Sequence, residues 1–205
     1  MHSDGRRLVL LGAAQGLVSE ADAVEDQLRR LRPAAVGIQV DPDNASGADE
    51  WPVVEPDAPE DWAYIRGLSV FGDVELPAPD LRRAAAVAKE LGATLTGIDV
   101  DEMDWTEEFT RRVSGLALVR RGLRVRGRRR RTIKAESPEA YCDAWDAAFN
   151  RPPFAQLEAW REHGMAARAT ALCRDGGPAV VIVDAARFPG VLQALEGSGF
   201  RVAPA

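Results

Sequence analysis

Two segments near opposite ends of the chain break in the same way: Leu8-Val-Leu-Leu-Gly-Ala-Ala-Gln15 and Val180-Val-Ile-Val-Asp-Ala-Ala-Arg187. In each, an apolar run ends in small residues, then a polar side chain, then a helical pattern. A short apolar run bounded by turn signals reads as a strand buried on both faces. Such strand–turn–helix units point their strand ends at the crevice where an open α/β sheet binds ligands. The pattern predicts an α/β fold: a single domain over residues 1–205, with a central mixed, mostly parallel sheet flanked by helices and a helical middle segment. It also places Gln15 and Arg187 at the carboxyl edge of the sheet, although neither type transfers protons well near neutrality.

Strands are expected over Arg7–Leu11, Ala35–Val40, Thr94–Val100, Ala179–Asp184 and Phe200–Val202, with a further short one around Ser69–Glu75. Ser19 with Asp22 resembles a capping box for a helix carrying Val24, Leu28 and Leu31, ended by Pro33. The unit from Arg7 to Val40 therefore predicts parallel strands joined by a right-handed crossover. Asp80 is expected to cap a helix ended by Gly92, and Thr106 one that carries Phe109, Val113 and Leu116. Ser137-Pro138-Glu139 opens a helix with Tyr141, Trp145 and Phe149 on one face. Pro152-Pro153 separates it from a longer helix over Phe154–Arg174, ended by Gly176-Gly177-Pro178, and Pro189 starts a last helix with Val191, Leu192 and Leu195.

Charge is distributed unevenly. Residues 111–134 hold ten arginines plus Lys134 and no acid, so the remainder carries −17 against an overall −6. Residues 41–61 are proline-rich, with eight carboxylates, and are expected to form a surface insert pinned by Trp51 and Trp62. The arginine-rich segment 120–131 could contact phosphates of nucleic acid or an anionic membrane. Base-stacking aromatics are lacking over 111–134, which favours a solvated segment that neutralises the acidic remainder, also across a homo-oligomer contact. The start Met1–Arg7 lacks a signal-peptide apolar stretch, and no run approaches the roughly 18 residues that span a bilayer, so a cytoplasmic protein is expected. Cys142 and Cys173 lack paired spacing and are expected to be buried thiols.

Four stretches, in order, resemble the TraB/PrgY-like family, within the superfamily of TIKI, erythromycin-esterase-like and ChaN proteins. They are LVLLGAAQGLVSEADAVEDQLRRLRPAAVGIQVDPD, GIDVDEMDWTEEFTRRV, WREHGMAARATAL and VVIVDAARFPGVLQALEGSGFRV. The resemblance runs from about Leu8 to Val202, outside the acidic insert and the arginine tract. It implies that superfamily relatives use motif histidines and a glutamate for metal-dependent or general-base hydrolysis. Here Gln15 and Arg187 stand at the histidine positions, Gln39 at the glutamate, Asp184 at a glycine and Val100 at an arginine, while Asp99, Asp101 and Arg161 remain. The resemblance therefore implies a degenerate active site.

Gln15, Gln39, Asp99, Arg161 and Arg187 are the candidate ligand-binding residues, suited to a small polar or anionic ligand or a protein partner. Alternatively the arginines pair with Asp99, Asp101 or Asp184 in an ion network. Asp41 with Asp43, and Asp99 with Asp101, are i,i+2 pairs at strand ends that face one way if the backbone stays extended. Asp41, Asp99 and Asp101 could then hold a divalent cation such as Mg²⁺ or Mn²⁺, with Asp99 and Asp101 as catalytic candidates for a divergent hydrolase. The leading expectation has no cofactor. His2, expected at a frayed terminus, and His163, in a helix, are the only histidines, which leaves an imidazole zinc site or a serine triad without parts. Gly12-x-x-x-Gly16 also lacks the spacing of a dinucleotide-binding loop.

Overall fold

The computed structural model describes residues 2–3, 6–128, 133–173 and 177–200. Five strands, β1 (His2–Ser3), β2 (Arg6–Ala13), β3 (Ala35–Ile38), β4 (Thr94–Gly97) and β5 (Ala179–Asp184), form one sheet in the order β1-β2-β5-β3-β4. β1 pairs antiparallel with β2, and the other four strands are parallel. His2 is thus paired through the backbone with Arg7 rather than frayed. The expected mostly parallel α/β sheet is present. β5, last in the chain, lies at its centre and separates β2 from β3.

Successive strand residues feed opposite cores. Val36, Ile38, Val180 and Ile182 pack on α1 (Val18–Leu31) and α3 (Pro79–Leu91) through Val24, Leu28, Leu81 and Ala85. Leu8, Val181 and Val183 pack instead on α7 (Phe154–Leu172) and α8 (Phe188–Gly197) through Met165, Ala169, Val191 and Leu195. A parallel sheet covered on both faces requires such continuous apolar runs. Beyond the strand ends, α2 (Pro59–Leu68) and α6 (Pro138–Phe149) share a third cluster around Leu68 and Tyr141. Val113, Phe154 and Leu157 centre a fourth, with Trp105 of α4 (Glu102–Arg112) packed against it. Both cysteines are buried, and neither is in a disulfide.

Several local expectations are corrected. α1 starts at Val18 after Leu17, with no side-chain cap, so Ser19 and Asp22 lie inside the helix. Gly16, at φ 110°, makes the turn before it, a conformation that penalises any Cβ. Asp101, not Thr106, caps α4, accepting from the Asp104 N–H at 2.8 Å. Pro79 opens α3 after Ala78, which puts Asp80 within the first turn instead of at the cap. Ser69–Glu75 contributes only an isolated bridge between Leu17 and Val74.

Segment 41–61 is not wholly a surface insert. Pro42–Glu50 is a 3-10 helix whose Ala45 and Ala48 are buried against α3, and Pro59–Asp61 open α2. Small residues among the acids supply the buried face, so the carboxylates stay outside. Trp51 packs against this core, whereas Trp62 is half exposed and pins nothing.

The basic tract runs into α5 (Gly115–Arg128), which takes in Leu116 instead of the helix that carries Phe109, and which leaves Leu116, Val119 and Leu123 exposed. Arg121 reaches back to Glu60 of the acidic segment at 2.6 and 2.9 Å. Arg129–Arg131, Arg174, Gly176 and the Arg201–Val202 part of the closing strand lie outside the described residues. Phe200 itself is not in a strand. Among the described residues, no helix is long and apolar enough to cross a membrane.

One close approach fixes the sheet edge. A Cβ on Gly97 would lie 2.6 Å from the carbonyl oxygens of both Val40 and Asp41, which are backbone atoms with little room to yield. Gly97→Ala is expected to cost about 1–3 kcal/mol by overpacking. Urea denaturation checks this, and an unchanged midpoint would mean that the two chain segments do not touch.

Candidate functional site

The carboxyl ends of β2, β3 and β5 open into a cavity of about 300 Å³. Gln15, Gln39, Arg161 and Arg187 all line it, so four of the five candidate ligand-binding residues converge. Asp99 is absent from the lining but holds Arg161 from beneath, accepting from Nε at 2.8 Å and from Nη2 through its two oxygens. Parallel pairing explains the convergence. Ala13 sits in register with Asp184, and Ile182 with Ile38, so the residues just beyond each strand end share one edge.

The two glutamines play different parts. Gln39 Oε1 accepts the Asp184 backbone N–H at 2.7 Å and thereby satisfies the strand end. Gln15 Nε2 is buried with no hydrogen-bond partner among the described residues. A buried donor left unpaired costs on the order of 1–3 kcal/mol.

Arg161 and Arg187 are both committed to carboxylates. Arg161 binds Asp99 and reaches Glu158 at 3.3 Å, with its guanidinium 5.4 Å above the Trp105 ring. Burial opposes its charge, but Asp99 and Glu158 more than restore it, leaving the pKa above the ordinary arginine value. Arg187 follows β5 and is 6% exposed. It pairs with Asp146 of α6 and with Glu162 (2.8 Å) and Glu158 (3.5 Å) of α7. Burial pulls Arg187 down to about 10, still well above neutrality, so the guanidinium stays charged. The arginines form an ion network, but only Asp99 among its acids was a sequence candidate. Asp184 instead accepts the Ala186 N–H at 2.7 Å, and burial raises it to about 6.

The aspartate pairs lie on neighbouring strand ends, but Asp99 is taken up by Arg161, and the oxygens of Asp41 and Asp101 serve helix starts. Asp41 accepts from the N–H groups of Asp43 (2.8 Å) and Glu102 (3.0 Å), and Asp101 caps α4. Asp43 is exposed, and Asp101 lies 3.6 Å from Arg168. Among the described residues, no group of three or more His, Cys, Asp or Glu side chains is arranged to hold a metal ion.

The roof of the cavity was missed in the sequence. α6 supplies Cys142, Trp145 and Asp146, its C-cap supplies Asn150, α7 supplies Glu158, and α2 supplies Tyr64. Their spacing carried a signal: Cys142, Trp145 and Asp146, like Glu158, Arg161 and Glu162, recur at i, i+3 and i+4 on one helical face. Tyr64 Oη lies 3.3 Å from Cys142 Sγ, and burial pushes that thiol up to about 12, far from a nucleophilic thiolate.

Comparison with protein-family models gave no match, and comparison with curated proteins gave none either. The site is therefore interpreted from its own chemistry.

Proposed function

We propose that this chain is a non-catalytic binding protein of the TraB/PrgY-like kind, cytoplasmic, that holds a small polar ligand in the strand-end cavity. One observation carries this reading: Arg187, at a degenerate position, and Arg161 beside it are both locked into carboxylates around the cavity. The described lining residues include no histidine, and the one thiol is held protonated, so an imidazole base and a thiolate nucleophile are both lacking there. A concave polar pocket of this size suits a small molecule better than a protein surface. The committed guanidiniums also make a polar ligand a better fit than the anion that two arginines alone suggest.

The test combines a small-molecule thermal-shift screen with an esterase and peptidase panel in Mg²⁺, Mn²⁺ or Zn²⁺. Saturable stabilisation by a small polar compound, weakened by Gln15→Ala and unaccompanied by turnover, is the expected result. Turnover that disappears in Asp99→Ala or Asp101→Ala would replace this reading with the divergent hydrolase. Affinity for single-stranded DNA that falls steeply with salt would move function to the arginine tract.

A further inference from the structure

α5 carries an apolar stripe that no described residue covers. Leu116, Val119 and Leu123 recur at i, i+3 and i+7, so they share one side of the helix, and they are 58%, 59% and 65% exposed. A different side anchors the helix. Ala117 packs on the fourth cluster, and Arg121 holds Glu60 at 2.6 and 2.9 Å with its guanidinium 5.1 Å above the Phe154 ring. With about 3.6 residues per turn, the stripe lies roughly 150° around the helix from that anchored side. Arg120 and Arg126, both exposed, flank the stripe to either side. Residues 111–134 contain no acid, and Glu60, which reaches α5 from α2, is neutralised on the anchored side by Arg121.

We propose that α5 docks the protein on an anionic lipid surface, with Leu116, Val119 and Leu123 entering the acyl boundary and Arg120 and Arg126 on lipid phosphates. Aliphatic side chains between flanking arginines suit that partner in both parts, because arginine stems lie along apolar surface while their heads stay at the phosphates. Nucleic acid would use the arginines but leave the three aliphatic side chains in water, and residues 111–134 hold no aromatic on which a base could stack. A second copy laid on the stripe across a two-fold axis would set these arginines against their own like charges. The carboxylates outside the tract do not cancel the attraction, since charges farther away than about 8 Å are largely screened at physiological salt. No α5 residue lines the strand-end cavity, so this surface stands or falls independently of the ligand reading above.

The experiment is co-sedimentation of the full chain with vesicles of phosphatidylcholine alone or with about 30% phosphatidylglycerol, at low and high salt. The chain should bind the anionic vesicles, pass over the neutral ones, and release as salt rises. Replacing the stripe by Leu116→Gln with Leu123→Gln, or the flanks by Arg120→Gln with Arg126→Gln, should weaken binding roughly tenfold or more in each case. All four side chains are exposed, so both variants should keep the melting temperature of the native chain. Val119→Gln alone gives the stripe readout if the leucine pair fails to fold. An environment-sensitive fluorophore on Leu123→Cys should shift to the blue on anionic vesicles, and the buried Cys142 and Cys173 do not compete for it. Binding that survives loss of the stripe, or that is equal on neutral vesicles, overturns the proposal. Failure to bind either vesicle overturns it too. In that event, salt-sensitive binding of single-stranded DNA assigns the arginines to nucleic acid, and concentration-dependent dimers lost with the stripe assign it to a second copy.

Discussion

Replacing Asp80 with asparagine is expected to stabilise the native protein by about 3 kcal/mol at pH 8.5 and to change it by less than about 1 kcal/mol at pH 4. Asp80 is fully buried in the first turn of α3, and among the described residues neither carboxylate oxygen has a hydrogen-bond partner of good geometry. Burial raises its pKa from 3.8 to about 7, Asp184 and Glu20 add to the rise, and the backbone N–H groups of Asp80 itself and Gly16 offset only part of it. A carboxyl that titrates near 3.8 when unfolded and near 7 when folded binds its proton more tightly in the native state. The stability this contributes is complete below the unfolded value and is lost as pH rises through the folded one. The full difference is about 4 kcal/mol, from about 1.4 kcal/mol per pH unit. The positive end of α3 favours the carboxylate by about 0.3–1 kcal/mol, which brings the expected gain down to about 3.

Other carboxylates titrate over the same range, so the variant-minus-native difference in urea stability is the quantity to follow. It should rise steadily between pH 4 and about pH 7 and then level off. A difference that is the same at pH 4 and pH 8.5 would mean that Asp80 is not a buried proton-binding group. The position was readable as a helix start, but its burial was not. Asp is a favoured residue at helix starts on local grounds alone. Only the packing of α3 against α1 and the turn at Gly16 takes this one out of water.

The same division runs through the rest of the chain. Strand existence was legible because β2, β3 and β5 are buried on both faces and need unbroken apolar runs. Their order was not, because nothing local in Ala179–Asp184 says that it inserts between two earlier strands. Helix starts failed where two good capping residues compete. Asp101 and Thr106 are both acceptable caps, and Asp101 wins because the chain turns directly off β4. The cavity floor was legible because strand ends of a parallel sheet must share an edge, which is why Gln15, Gln39 and Arg187 meet, while Arg161 reaches the same cavity from α7 and is held by Asp99. Its roof was not. Asp146, Glu158 and Glu162 look like ordinary surface charges on their helices until tertiary packing turns them towards Arg187.

Arg187 shows what that roof demands. Arg187→Met is expected to cost about 3–5 kcal/mol at pH 8, as removal of one partner from a buried ion network generally does. Asp146, Glu158 and Glu162 would then crowd a site from which their shared cation has gone. Burial already raises Glu158 and Glu162, and loss of the guanidinium raises the carboxyls further above their unfolded values. Groups with raised folded values lend stability at low pH and withdraw it as pH rises. The cost should therefore shrink to roughly half between pH 8 and pH 5.5, as the carboxyls take up protons. Arg187→His separates charge from packing. A neutral imidazole at pH 8 should destabilise about as much as methionine, while an imidazolium at pH 5.5 should recover most of the arginine's effect. Parallel urea titrations of the three proteins measure this. A penalty independent of pH would assign Arg187 to packing alone, and no penalty would dissolve the network. If the expected pattern holds, an imidazole cannot stand at this position alone and act as a base. The carboxylates of α6 and α7 need a permanent cation there, and a general base would have to be neutral.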